Sequence, residues 1–417
     1  MKKFLLPILL AGSFMKGQTW APIFTPGTPT GTTTISQTSL NDFSFYNNNL
    51  GIVSLGYVYH LTTDGGATWS HWKDFSPYPQ NKAVFYLNAT DIVTGTGNGR
   101  IYKSTDNGNT FTQKAVPVSD VMALDFKGNF GVLVDNYCKA SYSSDGGENW
   151  TVISNTVLCG NLSAMKHVNV VDANTTYICG NNTNFFKTTN GCVNWSPVIT
   201  GYTGNYTGLN FIDANTGFVT IYSGSPNAAR LLKTTDGGST WSNLTPALVA
   251  AGSNTTSTFG AVYAIDANTI YVGVDGGKIM VSTDGGATFT TDFTHTSCTS
   301  CPFSKLKYAG GVLFASHSSG GTTSKVFKKT ISGVGINEVA KELIFSIYPN
   351  PAQDFLMIEH NTKESGKVKI YSTDGKLVKE ADLNTEKINI SFLNAGVYIV
   401  KTETESGSFG YRKFVKE

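Results

Sequence analysis

The chain has 417 residues, and charged residues make up only 14% of it, well below the roughly 25% of an ordinary globular protein. A net charge of +2 gives no basic surface for a nucleic-acid partner, and 12% aromatic residues exclude a disordered chain. No apolar run reaches the about 18 residues that a transmembrane helix needs. This composition, with 44 glycines, predicts an all-β protein of more than one unit without a transmembrane segment.

The first seventeen residues have the pattern of a secretory signal peptide. Lys2 and Lys3 give a positive start, an apolar stretch runs from Phe4 to Phe14, and small residues lead to a cleavage site near Gly17. The alternative is a buried N-terminal strand. The pattern predicts that residues 1–17 are a signal peptide and that the mature chain is exported.

Export would place the six cysteines in an oxidising compartment, where an even number permits three disulfides. The pair at 298 and 301 predicts a local structural bridge; a redox pair is the alternative, but such a pair normally lies at a helix start. No second CxxC motif or paired histidine indicates a zinc site. Proximity in the sequence suggests the pairs Cys138 with Cys159, Cys179 with Cys192, and Cys298 with Cys301.

One octapeptide, Thr/Ser-x-Asp-x-Gly-x-Thr-Trp/Phe, recurs six times. Its acidic positions are 42, 39, 45, 46 and 48 residues apart, a period typical of propellers and other repeat folds. The fourth copy is degraded, with Asn for Asp and Cys for Gly. The third-position residues are Asp64, Asp106, Asp145, Asn190, Asp236 and Asp284, and the closing aromatic residues are Trp69, Phe111, Trp150, Trp195, Trp241 and Phe289.

These boxes are predicted to be hairpin turns rather than catalytic sites. Glycine accepts the positive φ of a tight turn, and the acid can hydrogen-bond backbone N–H groups two residues on. A second turn, such as residues 172–175 or 266–269 with the sequence Asp-Ala-Asn-Thr, precedes the box in several units. Each unit then has four antiparallel strands, which describes a propeller blade.

After the sixth box, residues 312–315 and 326–330 repeat the second and third strands of a unit that lacks its fourth. Residues 18–23 resemble the segment that closes each box. We therefore predict an all-β fold: a seven-bladed β-propeller of four-stranded blades, closed by the mature N-terminus, followed by a small β-sandwich domain. A closed ring leaves no free sheet edge.

The boxes resemble the Asp-box (BNR) repeats of sialidases, xyloglucan-degrading enzymes, sortilin-type receptors and photosystem II assembly factor-like propellers. The resemblance covers residues 18–334 and implies the propeller architecture. It does not imply an activity, because function lies in sites that differ between members of one fold.

A linker at residues 335–342 leads to a different composition in residues 343–417, where alternating strands predict a β-sandwich. This unit resembles the type A C-terminal sorting domain of the type IX secretion system. The resemblance implies that the secretion machinery is its partner; an unrelated sandwich that binds something itself is the alternative. The residues that carry the resemblance include Tyr348, Pro349, Asn350, Pro351, Gly375, Gly396, Lys413 and Lys416.

An enzyme is the less favoured interpretation of the propeller, and we expect no catalytic residue, cofactor or metal. Sialidases hold their substrate with three arginines, whereas the propeller has Arg100 and Arg230, and its one glutamate, Glu148, lies within a box. Its histidines show no HxH or HExxH spacing. A different glycoside hydrolase remains the alternative, with its two carboxylates drawn from Asp42, Asp74, Asp120, Asp125, Asp135, Asp275 and Asp292.

The favoured interpretation is a non-catalytic binding protein, secreted or held at the outer-membrane surface. Boxes and Asp-Ala-Asn-Thr turns occupy one face of the ring, so the opposite face carries the loops that vary. Aromatic residues there are suited to stacking on an extracellular glycan or protein. An adhesive protein without a small-molecule site is a third possibility. The candidate ligand-face residues are Tyr78, Tyr137, Tyr202, Tyr206 and Tyr222.

Overall fold

The computed structural model describes residues 19–25, 40–74, 80–115, 118–153, 163–224, 227–255, 258–297, 302–317, 324–331, 345–360, 365–372, 376–404 and 409–417. The chain divides into two compact units, Met1–Ser332 and Gly333–Glu417. Within the described ranges, no helix has the length and apolarity to cross a bilayer.

The first unit contains seven four-stranded antiparallel sheets, numbered here as blades 1 to 7. A six-residue helix, α1 (Thr245–Ala250), lies between blades 5 and 6. The strands are, for blade 1, β2 (Leu40–Phe45), β3 (Gly51–Leu55), β4 (Val58–Thr62) and β5 (Ser70–Asp74); for blade 2, β6 (Asn81–Tyr86), β7 (Ile92–Thr96), β8 (Ile101–Ser104) and β9 (Thr112–Lys114); for blade 3, β10 (Val121–Lys127), β11 (Phe130–Asp135), β12 (Ala140–Ser143) and β13 (Thr151–Val152); for blade 4, β14 (Met165–Val170), β15 (Thr176–Gly180), β16 (Phe185–Thr188) and β17 (Ser196–Pro197); for blade 5, β18 (Asn205–Phe211), β19 (Gly217–Gly224), β20 (Asn227–Thr234) and β21 (Ser242–Asn243); for blade 6, β22 (Val262–Ala264), β23 (Ile270–Val274), β24 (Lys278–Ser282) and β25 (Thr290–Thr294); and for blade 7, β26 (Phe303–Ala309), β27 (Val312–His317), β28 (Lys325–Thr330) and β1 (Ala21–Phe24).

Blade 7 joins the two ends of the propeller sequence. Strand β1 pairs antiparallel with β28, with Ala21 opposite Lys328 and Phe24 opposite Val326. The first strands of neighbouring blades are in contact all round the ring, including β2 with β26. The predicted all-β propeller with an N-terminal closing strand is therefore confirmed.

Each pair of neighbouring blades encloses its own apolar core. The core between blades 7 and 1, for example, contains Phe24 and Phe43, and that between blades 4 and 5 contains Tyr177 and Phe211 in a stacked pair with centroids 3.5 Å apart. The closing aromatic residue of every box packs into the core between its own blade and the preceding one. These residues are Trp69, Phe111, Trp150, Trp195, Trp241 and Phe289.

The box acids bond within their own turns. In the first box, Asp64 accepts hydrogen bonds from the Thr62 hydroxyl at 2.8 Å, the Thr68 backbone N–H at 2.9 Å and the Thr68 hydroxyl at 2.6 Å. The N–H that the carboxylate receives thus belongs to the residue four positions on, not two as a simple Asx turn would give. The Asn190 box keeps the same pattern, since the Asn190 side-chain oxygen accepts a hydrogen bond from the Asn194 N–H at 2.9 Å. Its Cys192 nevertheless has a φ of 70°, a value that favours glycine.

Every box is also tied to the turn between the first two strands of its blade. The Gly65 N–H donates to the Asn49 carbonyl at 2.9 Å, and the Gly237 N–H donates to the Asn215 carbonyl at 2.8 Å. Boxes and first turns therefore share one face of the ring, called here the box face. The connections between blades and the turns between second and third strands form the opposite loop face.

The box carboxylates should make the fold sensitive to acid. Hydrogen bonds from Thr240 hold the pKa of Asp236 at about 2, and those from Thr68 do the same for Asp64. Since the folded pKa lies below the unfolded value of about 3.9, the stabilisation is present above pH 4 and is lost as pH falls to about 2. We expect the D64N/D236N variant to lose less unfolding free energy over this range than the native chain.

Chemical unfolding at several pH values measures this difference. The control is Asp275→Asn, which removes a carboxylate from a turn outside the boxes. Parallel pH dependence in the native chain and the double variant would contradict the assignment of acid sensitivity to the boxes.

Polar side chains connect the first strands of successive blades at the centre of the ring. The Asp42 carboxylate accepts the Val84 N–H at 3.0 Å, and the Asp125 carboxylate accepts the Val170 N–H at 2.7 Å. Asn210 repeats the contact with the Ala264 N–H at 2.8 Å. These side chains accept hydrogen bonds from backbone N–H groups at the inner edge of the sheets, where an unpaired buried N–H group would reduce stability.

The second unit consists of a three-stranded and a four-stranded sheet. Buried side chains such as Leu356, Ile370, Val400 and Phe414 form its separate core, as expected for a β-sandwich. Its strands are β29 (Phe345–Tyr348), β30 (Phe355–His360) and β33 (Ile388–Asn389) in one sheet, and β32 (Leu377–Asp382), β31 (Gly366–Ser372), β34 (Gly396–Thr404) and β35 (Phe409–Lys416) in the other.

The suggested disulfide between Cys179 and Cys192 is wrong. Both residues are buried free thiols. Cys179 lies in the core between blades 4 and 5, whereas Cys192 lies in the core between blades 3 and 4, so the sheet of blade 4 separates them. Cys138 is also buried, while its suggested partner Cys159 and the pair Cys298 and Cys301 lie outside the described residues.

Candidate binding site on the loop face

The five predicted tyrosines have different surroundings. Tyr137 follows β11 and is 52% exposed. Tyr202 is half-buried beside the core between blades 4 and 5, and Tyr222 is half-buried on β19. Tyr78 lies outside the described residues. Tyr137 is thus the most exposed of the four predicted tyrosines that the structure describes.

Tyr206 is not a ligand-face residue, which corrects the prediction. It is 1% exposed, and its ring packs edge-on against Phe185 with centroids 5.1 Å apart. Strand β18 already starts at Asn205, so the side chain of Tyr206 turns into the core rather than into a loop. Burial raises the pKa of its phenol.

The turn between β15 and β16 is held in a fixed shape by the next blade. Asn182 and Thr183 both have positive φ, 54° and 66°, which is rare for a β-branched residue. The Thr183 N–H donates to the Gly204 carbonyl at 2.8 Å, and the Asn182 N–H donates to the Asn205 side chain at 3.0 Å. Strained backbone of this kind persists only where the surroundings fix it, and it is frequent at binding sites.

An aromatic ring and a cation lie beside this turn. The Arg230 guanidinium lies over the Tyr202 ring, with its central carbon 4.9 Å from the ring centroid. Asn182, Thr183 and Asn205 are exposed next to them. Their side chains are held by local hydrogen bonds: the Asn182 amide donates to the Ser163 hydroxyl, and the Thr183 hydroxyl accepts the Gly204 N–H at 3.3 Å. The name loop-face patch is used here for Asn182, Thr183, Tyr202, Asn205 and Arg230. The patch combines a stacking surface with fixed hydrogen-bonding groups, and sequence reasoning found only Tyr202 of it.

The aspartates considered for hydrolysis are mostly engaged in structural contacts. Asp42 is bonded as described above and also forms ion pairs with Lys305 at 2.8 Å and Lys307 at 3.0 Å. Asp292 pairs with Lys329 and accepts the Trp20 indole N–H at 2.6 Å. Burial raises the pKa of Asp125 to about 6, but this side chain also accepts the structural hydrogen bond from the Val170 N–H. The side chain of Asp74 lies outside the described part of the structure.

Asp120 and Asp135 lie together on the loop face next to blade 3. Asp135 accepts the backbone N–H groups of Tyr137 and Lys139 at 2.8 and 2.7 Å, so it holds a turn. Burial raises the pKa of Asp120; the positive charge of Lys82 opposes this shift, and the negative charge of Asp135 adds to it. Oδ1 of Asp120 is buried without a hydrogen-bond partner.

In the C-terminal unit, two distant sequence motifs meet at the edge of one sheet. The Asn350 side chain accepts the Val415 N–H at 2.9 Å and donates to the Lys413 carbonyl at 3.4 Å. Ala352 forms a parallel bridge with Lys416, so residues 350–352 cover the outer edge of β35. Gly396 pairs with Lys416 from the other side. Tyr348 is 43% exposed, and Gly375 lies outside the described residues.

Residues 346–417 match the family described as "Secretion system C-terminal sorting domain". The C-terminal unit is a type IX sorting domain. The predicted resemblance is thus confirmed, and the sorting domain implies that the chain is exported to the cell surface or secreted. A comparison with curated proteins finds no match.

The propeller is similar to several solved structures at low sequence identity. "YCF48 bound to D1 peptide" is 15% identical with a TM-score of 0.58, over 75% of this chain and 96% of that one. YCF48 from Cyanidioschyzon merolae is 16% identical with a TM-score of 0.56, over 75% and 98%. The GH74 xyloglucanase from Xanthomonas campestris is 14% identical with a TM-score of 0.51, over 82% and 59%. At these identities the likeness shows the fold alone.

Proposed function

We propose that this protein is a non-catalytic binding module that the type IX secretion machinery carries out of the cell. Residues 1–17 act as the signal peptide to the periplasm, and the sorting domain is then recognised by the machinery, which is its protein partner. The charged start and the short apolar stretch of residues 1–17 support the first step. The match of residues 346–417 supports the second.

The loop-face patch is the proposed binding site of the mature propeller. The observation that carries this proposal is the fixed Asn182–Thr183 turn beside the stacked Tyr202 and Arg230 side chains. Rigid polar groups lose little entropy on binding, and a tyrosine adds apolar area with a polar end. The ligand is an extracellular glycan or peptide; the related fold of YCF48 has been seen with a peptide bound.

Changes in the patch should abolish recognition without unfolding the propeller. We expect Tyr202→Ala and Arg230→Gln to weaken binding of any glycan or peptide captured on arrays by at least tenfold, because each removes half of the stacked pair. The control is Tyr46→Ala, an exposed tyrosine that follows β2 on the box face. Equal capture by all three variants would place recognition elsewhere.

A glycoside hydrolase is the second candidate function. The raised pKa of Asp120 beside Asp135 on the loop face favours it, since a general acid needs such a shift. Turnover of an arrayed polysaccharide that is lost in Asp120→Asn would support hydrolysis. Turnover that persists in this variant would exclude Asp120 as the acid.

A further inference from the structure

Two histidines meet on the loop face between blades 6 and 7. His295 follows directly after β25, and His317 is the last residue of β27. Their ring centroids are 4.7 Å apart, and the ring planes are inclined by 32°. His317 has no exposed surface, and His295 is 8% exposed. The two rings come from different blades, so a search for local histidine motifs does not find them.

Their surroundings leave polar atoms unpaired. Phe327 lies 5.1 Å from the His295 ring and 5.9 Å from the His317 ring, measured between centroids. Neither ring nitrogen of His317 has a hydrogen-bond partner, and Nδ1 of His295 has none. A neutral imidazole carries one N–H donor and one acceptor lone pair, so His317 leaves both unused in either tautomer. Buried polar groups without partners call for an explanation.

Burial disfavours a positive charge on either imidazole. Burial lowers the pKa of His317 to about 4, and the charges of His295 and Lys325 act in the same direction. Burial and the charge of Lys325 also lower the pKa of His295.

We propose that His295 and His317 together bind a late first-row transition-metal ion, each through one imidazole nitrogen. Imidazole ligands suit Zn²⁺, Cu²⁺ and Ni²⁺. Across the described ranges, no group of three His, Cys, Asp or Glu side chains is placed to hold a metal, so the two rings leave further coordination positions to water or an external ligand. Cys298 and Cys301 follow His295 in the sequence but lie outside the described residues. The proposal rests on the two imidazoles and is independent of the loop-face patch.

Titration calorimetry of the untagged, full-length chain with Zn²⁺ tests the proposal. We expect one bound ion per chain, with affinity at least tenfold lower in His295→Gln and in His317→Gln. His360→Gln, in the sorting domain, is the matched control and should bind as the native chain does. Absence of Zn²⁺ binding by the native chain would overturn the proposal, as would affinities in the His295→Gln and His317→Gln variants equal to that of the native chain.

A variant at Lys325 tests the same site without touching either ligand. Its charge repels a bound cation, so Lys325→Gln should bind Zn²⁺ more tightly, by roughly threefold or more. This variant also keeps the proposal testable if the histidine variants do not fold. Unchanged or weaker Zn²⁺ binding by Lys325→Gln would contradict a cation site between the two rings.

Discussion

Removal of residues 346–417 is expected to keep the propeller inside the cell envelope, with release to the outside falling at least tenfold. The propeller and the sorting domain are separate compact units, and the sorting domain has its own core. The shortened chain should therefore still fold, so that a loss of release reports on transport rather than on stability. Cell fractionation in a host with the type IX system measures the periplasmic and external amounts.

Three companion proteins make this experiment specific. A chain whose sorting domain is replaced by an unrelated domain of similar length controls for size, and it should also be retained. A reporter that carries residues 1–17 and 333–417 should be exported, whereas the same reporter with residues 1–17 alone should stop in the periplasm. Release of the shortened propeller at the native level would contradict the assigned role of the sorting domain.

The fold was predictable because the sequence repeats its turn chemistry. Most boxes carry a hydroxyl, an acid and a glycine at fixed positions, and the contacts of Asp64 with Thr62 and Thr68 show how the first two bond. The period between boxes then fixes the size of a blade, and the missing fourth strand of the last blade points to the N-terminus. Local chemistry of this kind can be read without knowing any contact between distant residues.

The candidate site was less predictable because it depends on contacts between blades. Tyr206 stands next to a loop in the sequence, but the strand starts one residue before it and turns its side chain into the core. Cys179 and Cys192 are close in the sequence yet face opposite sides of one sheet. His295 and His317 meet only because blade 7 packs against blade 6.

Replacement of Phe24 by alanine should cause a large loss of stability in the propeller. Phe24 is 6% exposed, and its ring lies edge-on to Trp69 with centroids 5.0 Å apart. Trp69 in turn donates its indole N–H to the Ile23 carbonyl at 2.7 Å. Loss of a buried phenylalanine typically costs about 3–5 kcal/mol of unfolding free energy. Urea unfolding followed by tryptophan fluorescence measures this cost.

The cost should extend beyond one side chain because β1 closes the ring. This strand is the fourth strand of blade 7, and its side chains also fill the core between blades 7 and 1. When it detaches, β28 becomes an open sheet edge, and open edges promote aggregation. Ala21→Ser changes an exposed position of the same strand, so it should alter stability by no more than about 0.5 kcal/mol. If Phe24→Ala is as stable as this control, closure of the ring does not depend on the N-terminal strand, and the two ends of the propeller must be held together by the other contacts between blades 7 and 1, such as that of β2 with β26.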